Sequence, residues 1–66
     1  MTLKETSKFE LYEGTGPGAG CYRVIRKKDN ALTLWNTGSE GSEWKDELLS
    51  MNDKQFDIYC NELNFE

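Results

Sequence analysis

The stretch MNDKQFDIYCNEL, residues 51–63, carries the clearest local signal in the chain. Asn52 is a favourable helix N-cap, and Gln55 three positions later completes an Asn variant of the capping box. Apolar side chains then recur at the i, i+3, i+4 and i+7 spacing of an amphipathic helix. They are Phe56, Tyr59, Cys60 and Leu63. The stretch therefore predicts a helix that starts after Asn52 and packs its apolar stripe on a core.

The residues before this helix predict a second, shorter one. Ser42 is a suitable N-cap, and Trp44 and Leu48 lie four positions apart, so their side chains share one helical face. The segment 36–41, NTGSEG, has the composition of a loop and separates this helix from the residues that precede it.

Alternating polar and apolar residues predict three strands in the first half of the chain. Their ranges are 8–13, 21–27 and 31–35. Four glycines and a proline within 14–20 predict a loop between the first two strands, and Asp29-Asn30 suits a tight turn before the third. The predicted fold is α+β: a three-stranded antiparallel β-meander followed by two short helices packed on one face, in the order βββαα.

A chain of 66 residues forms one domain at most, and its polar residues 1–7 are expected to fray. Two cysteines, Cys21 and Cys60, are too few for a disulfide scaffold. The sequence shows neither a secretory signal nor an apolar run of membrane length. We therefore expect a cytoplasmic protein with reduced thiols and no membrane partner. In an exported protein, the two cysteines would instead form a single bridge.

Charge divides the chain into two halves. Residues 1–35 carry six basic and four acidic side chains, a balance of +2, whereas residues 36–66 carry two basic and eight acidic ones, a balance of −6. The predicted strands are therefore the basic part and the predicted helices the acidic part. Fields of this kind mainly affect how fast a protein meets its partner and which partner it accepts.

The sequence lacks the groups that most catalytic and metal sites require. It has no histidine, and Cys21 and Cys60 alone cannot supply the four ligands of a structural zinc site. The loop 14–20 lacks the Gly-Lys-Ser/Thr of a phosphate loop and leads into a strand. These features favour a hairpin loop over a loop that orders on contact with a ligand. We predict no enzyme activity, no cofactor and no metal.

The sheet face that the helices leave open is the predicted binding surface. The alternation is compatible with helices on either face, and we take them to pack on the face that carries Phe9, Leu11, Tyr22, Val24, Leu32 and Leu34. The opposite face then carries Tyr12, Arg23, Ile25, Lys27, Thr33 and Trp35. Trp, Tyr and Arg are the residue types enriched at protein-binding hot spots. We predict that three apolar side chains of this face anchor the partner: Tyr12, Ile25 and Trp35. The residues predicted to orient the partner are Arg23 and Lys27.

The chain is therefore predicted to be a small acidic protein-binding module that acts stoichiometrically, as an inhibitor, adaptor or regulatory subunit. Acidic residues of the helices would steer it towards a basic partner. They are Glu43, Asp46, Glu47, Asp53 and Asp57. A phage or mobile-element protein that modulates a host protein would have this character.

Three alternatives use the same surfaces. The basic and aromatic sheet face has the composition of a single-stranded nucleic-acid site, although a net charge of −4 opposes nucleic-acid binding. The acidic half would instead act as a nucleic-acid mimic, at a charge density well below that of DNA. An unpaired edge strand would join two copies in a homodimer.

Overall fold

Four antiparallel strands and two helices make up the protein in a computed structural model that describes residues 1–66. The strands are β1 (Thr2–Glu5), β2 (Phe9–Glu13), β3 (Tyr22–Arg26) and β4 (Ala31–Leu32), in that order across one sheet. The helices are α1 (Gly38–Ser50) and α2 (Asp53–Asn61), and one 3-10 turn covers Gly16–Gly18. The α+β class is as predicted, but the sheet has four strands rather than three.

The additional strand, β1, lies in the segment 1–7, which the sequence predicts to fray. It pairs with β2 in antiparallel register, with a bulge after Thr2. Met1 N donates to Glu13 O at 2.7 Å, and Glu13 N donates to Met1 O at 2.9 Å. Leu3 is the only large apolar side chain of β1, so the alternation that marks a half-buried strand is missing from the sequence.

Strand β4 is shorter than the predicted strand 31–35, because its register changes after two residues. Ile25 pairs with Leu32, but the next bridge along the chain joins Tyr22 to Asn36. Three residues therefore oppose two between these pairs, which is a β-bulge. The bulge ends the regular ladder of β4.

The faces of this segment are the reverse of the prediction. Thr33 is buried and lies opposite Val24: Thr33 N donates to Val24 O at 3.1 Å, and Val24 N donates to Thr33 Oγ1 at 3.0 Å. Leu32 lies opposite Ile25 on the other face, and Leu34 is 69% exposed. The prediction that Leu32 and Leu34 enter the core while Thr33 faces outward is wrong. The register sets the faces, because Leu32 pairs with Ile25 and therefore shares its side of the sheet. The Thr33 hydroxyl is tolerated in the interior because it accepts the hydrogen bond from Val24 N.

The hydrophobic core lies between the sheet and the two helices. It consists of Phe9, Leu11, Val24, Leu48, Phe56 and Cys60. Tyr59 and Leu63 are partly buried against it, so the apolar stripe predicted for α2 faces the core. Complete burial of a side chain such as Leu11 or Phe56 stabilises the fold by about 1.5–3 kcal/mol, which makes this one layer the main source of stability.

Helix α2 begins where the sequence predicts, whereas α1 begins earlier. Asn52 Oδ1 accepts from Gln55 N at 2.8 Å, and Gln55 Oε1 accepts from Asn52 N at 3.1 Å, so the capping box is complete. Helix α1 starts at Gly38 with Thr37 at the N-cap position, ahead of the predicted cap Ser42. Neither helix combines the length and the apolar character needed to cross a membrane.

Lys4 connects β1 to the junction between the helices. Its Nζ donates to Leu48 O at 3.0 Å and to Met51 O, two carbonyl groups at the C-terminal end of α1. The same ammonium group lies 5.0 Å from the centroid of the Phe56 ring. A cation at this end of a helix interacts favourably with the helix dipole and adds a charged donor for the last carbonyl groups, of which Leu48 O also accepts from Met51 N at 3.3 Å. Through Lys4, β1 therefore stabilises the C-terminal end of α1 as well as the sheet.

Replacing Lys4 with Met should lower the free energy of unfolding by about 1–3 kcal/mol, because two partly buried carbonyl groups lose their charged donor. Urea denaturation followed by circular dichroism measures the change. Lys8→Met is the matched control, since Lys8 is exposed and forms no salt bridge. Equal losses of stability in the two variants would contradict the role assigned to Lys4.

Candidate functional site

Both helices lie on one face of the sheet and leave the opposite face uncovered. Successive strand residues alternate between faces, so the neighbours of the buried Leu11 and Val24 point away from the helices. We call this uncovered surface the outer face. It is formed by Glu10, Tyr12, Arg23, Ile25, Lys27, Leu32 and Trp35. The five residues predicted to bind a partner, Tyr12, Arg23, Ile25, Lys27 and Trp35, all belong to it.

Three of these residues form a stacked group, which we call the aromatic cluster: Tyr12, Arg23 and Trp35. The guanidinium carbon of Arg23 lies 3.7 Å from the centroid of the Trp35 ring, in a cation–π contact. Tyr12 is paired with Arg23 across the sheet, and its ring centroid lies 6.5 Å from that of Trp35 at an interplanar angle of 43°. Trp35 is still 41% exposed. The cluster is therefore both ordered and accessible.

The bulge that ends β4 brings Trp35 to the outer face. Without the extra residue, Trp35 would lie opposite Tyr22, whose side chain is buried on the core side. Asn36 takes that place instead: its N donates to Tyr22 O at 2.7 Å, and its O accepts from Tyr22 N at 2.9 Å. Trp35 is thereby turned to the side of Arg23.

Gly41 allows α1 to pack against this bridge. A side chain there would place its Cβ 2.5 Å from the carbonyl oxygen of Asn36, closer than real contacts allow. The sequence predicts segment 36–41 to be a loop, but Gly41 is a buried residue within α1. Glycine serves here for the close approach of two backbone segments, which is its other common role.

The far end of the outer face is polar. Lys27 forms an ion pair with Glu5, and Glu10 lies directly opposite Ile25. Arg23 has no such partner: it forms no salt bridge, and its Nε is buried without a hydrogen bond. Arg23 is therefore the cation of this face without an ion-pair partner, and its guanidinium group contacts the Trp35 ring instead.

The two edges of the sheet differ in accessibility. The β4 edge is two residues long, and Leu32 O accepts from Glu66 N at 2.9 Å, so the C-terminal residue covers part of it. The β1 edge is four residues long and has no neighbouring strand. A homodimer formed through a sheet edge stays a prediction, and β1 is the longer edge open to it.

The acidic residues predicted to steer a partner do not form one surface. Glu43, Asp46 and Glu47 lie together on the exposed side of α1, and we call them the acidic stripe. Asp53 is exposed in the first turn of α2. Asp57 is half-buried instead, because its Oδ1 accepts a hydrogen bond of 2.6 Å from the hydroxyl of a threonine in the β1–β2 turn. Of the five acidic residues predicted to steer a partner, only the three of the acidic stripe lie on one helix side.

The glycine-rich loop 14–20 is closed on itself. Gly14 N donates to Cys21 O at 3.0 Å. Gly20 N donates to Glu13 Oε2 at 3.2 Å. This backbone N–H group is therefore already hydrogen-bonded to a carboxylate of the chain and is not available to a phosphate group. This arrangement supports the interpretation of the segment as a hairpin loop.

The two cysteines are free and occupy different environments. Cys60 is completely buried in the core, and this burial raises the pKa of its thiol to about 12, with a smaller contribution from the nearby Asp57 carboxylate. Cys21 is half-buried at the start of β3. No group of three or more Cys, Asp or Glu side chains is arranged to hold a metal ion.

Comparison of the chain with protein-family models, with curated proteins and with solved structures gives no match.

Gly41→Ala should destabilise the protein by about 1–3 kcal/mol, because the added methyl group overlaps the Asn36 carbonyl. This loss should outweigh the gain of about 1 kcal/mol that Ala normally brings to a helix interior. Thermal unfolding measures the change, and Ser42→Ala in the same turn is the control, because it removes a hydroxyl group and adds no atom. If Gly41→Ala raised the stability as Ser42→Ala does, α1 would not approach the bridge as closely as described.

Ellman's reagent at pH 8 should titrate one thiol per native chain rapidly and two after denaturation. Cys60 stays protonated because burial raises the pKa of its thiol to about 12, and only the thiolate attacks the reagent. Cys21→Ser should abolish the rapid reaction, whereas Cys60→Ala should leave it unchanged. Two thiols of similar rate in the native protein would contradict the burial of Cys60.

Proposed function

We propose that the protein is a small acidic protein-binding module that acts stoichiometrically on another protein through its outer face, as an inhibitor, adaptor or regulatory subunit. The observation that carries this proposal is the aromatic cluster on a sheet face without a helix over it. Two free cysteines suit a reducing compartment, so the proposed partner is cytoplasmic.

The aromatic cluster has the properties of an interface hot spot. Tyr, Trp and Arg are the residue types that dominate such sites. The stack of Arg23 on Trp35 restrains both side chains before a partner arrives. Less side-chain entropy is then lost on binding, and this loss otherwise costs about 0.5–1.5 kcal/mol for each flexible side chain.

A partner on the outer face would also supply the second layer that the sheet lacks. Ile25 and Leu32 are paired there and only partly buried in the free chain. Covering apolar surface stabilises a complex by about 25 cal/mol for each Å² removed from water. The polar end of the face, with Lys27 and Glu5, would form the rim of the interface.

The acidic stripe on α1 has a different role in the proposal. Glu43 and Glu47 are exposed and form no salt bridge, and they carry like charge on one helix side. Such a field accelerates encounter with a basic partner and is screened by salt. The stripe therefore affects the association rate more than the strength of the final complex.

Single-stranded nucleic acid is a less favourable occupant of the same face. A base would stack on Trp35, but the Arg23 guanidinium already covers one side of that ring. The carboxylates of Glu5 and Glu10 lie on the same face and would repel phosphates. These contacts favour a protein as the partner.

The test is capture of the partner by the tagged chain from lysate, with and without nuclease, followed by measured affinity of the purified pair. Trp35→Ala and Arg23→Ala should each weaken binding about 30-fold or more, as loss of a hot-spot residue does. Leu34→Ala is the control, because Leu34 is a neighbouring exposed apolar residue outside the aromatic cluster.

Circular dichroism establishes that the variants are folded, so that a loss of affinity reports on contacts. A stoichiometric protein that survives nuclease and binds Trp35→Ala as tightly as wild type would disprove the placement of the site. Capture that disappears with nuclease, together with affinity that falls log-linearly with salt, would move the function to nucleic acid.

A further inference from the structure

A second concave surface lies at the end of the molecule that carries the turns between strands. It is a groove of about 700 Å³ between the β1–β2 turn, the β3–β4 turn and α2. The side chains that matter to its chemistry are Lys8, Arg26, Lys27, Lys28, Asp57 and Ile58. We call it the basic groove. Its volume is within the range of sites that hold a ligand or a peptide side chain.

Positive charge is concentrated in the basic groove although the protein is acidic. Four of the eight Lys and Arg residues line it, in a chain of net charge −4. Arg26 is paired with Asp29 at 2.8 Å, and Lys27 is paired with Glu5. Lys8 and Lys28 form no salt bridge, and both are exposed. Two cations in the groove are therefore free to meet an anionic partner.

An apolar contact point accompanies these cations. Ile58 is 60% exposed on the side of α2 that faces away from the core, and it lines the same groove. Phe9 contributes to the lining as well, but it is only 4% exposed because its ring belongs to the core. The groove thus offers one exposed aliphatic side chain together with two unpaired ammonium groups, and no exposed aromatic ring.

We infer that the basic groove binds an acidic protein segment that sets an apolar side chain on Ile58 and carboxylates against Lys8 and Lys28. Charge complementarity selects a segment of this chemistry. Nucleic acid is disfavoured, because the groove has no accessible aromatic ring for base stacking.

The basic groove and the aromatic cluster are separate sites. Tyr12, Arg23 and Trp35 do not line the groove, and Lys27 is the one residue that belongs to both the groove and the outer face. Variants at Lys28 and Ile58 therefore test the groove without touching the aromatic cluster. Failure of one proposal leaves the other standing.

The experiment is a titration of the isotope-labelled protein, followed by nuclear magnetic resonance, with the acidic peptide EELEE. The peptide EESEE and a short oligothymidine serve as parallel probes. We expect EELEE to shift the amide signals of the two turns and of α2 around Ile58, with weaker binding by EESEE. Binding of oligothymidine in preference to both peptides would overturn the inference, as would the absence of any binding by EELEE.

Matched variants separate a local site from the overall charge. Lys28→Glu and Lys54→Glu change the net charge equally, but Lys54 does not line the groove. Lys28→Glu should weaken EELEE binding about threefold to tenfold, the scale of one or two exposed ion pairs, whereas Lys54→Glu should leave it nearly unchanged.

A second pair of variants tests the apolar contact. Ile58→Ser should weaken binding of EELEE more than Leu49→Ser, which removes an exposed apolar residue outside the groove. Equal effects within either pair would disprove a specific groove.

Discussion

Burial of Leu11 and Val24 of the sheet in one cluster with Leu48 and Phe56 of the helices is the constraint on which the rest of the structure depends. Two helices of 13 and 9 residues cover one face of a four-stranded sheet, and neither of them lies over the other face. Because strand residues alternate between faces, the choice of core residues also determines which residues stay outside. The outer face is therefore a direct consequence of how the core is formed, and its aromatic and charged character is available to a partner.

The position of Trp35 shows how closely the site depends on the fold. One extra residue in the chain after Thr33 moves this ring from the core side to the outer face, where Arg23 stacks on it. The bulge in turn is fixed by the two hydrogen bonds between Asn36 and Tyr22, and by Gly41, which lets α1 lie against them. A structural glycine in a helix thus determines the geometry of a surface on the opposite side of the sheet.

The sequence predicts the parts of this protein that rest on local signals. The capping box of Asn52 and the stripe of α2, together with the alternation of β2 and β3, identify the helix and the central strands. Features set by distant contacts escape such signals. Strand β1 is held by the hydrogen bonds of Lys4 at the helix junction. Asp57 is half-buried rather than exposed and accepts a hydrogen bond from Thr6, which lies 51 positions earlier in the sequence. A regular alternation also places Trp35 on the outer face, but the bulge brings it there by a different register. The basic groove combines turns and a helix far apart in sequence, so no local pattern marks it.

Cross-saturation transfer in the complex with the captured partner distinguishes the outer face from the acidic stripe as the contact surface, because it reports which amide and side-chain protons of the labelled chain lie against the partner. Loss of signal is expected at Tyr12, Arg23, Ile25 and Trp35, with the exposed side of α1 unaffected once the complex has formed. Loss confined to the acidic stripe, with the outer face unchanged, would contradict the claim that the uncovered side of the sheet is the binding surface.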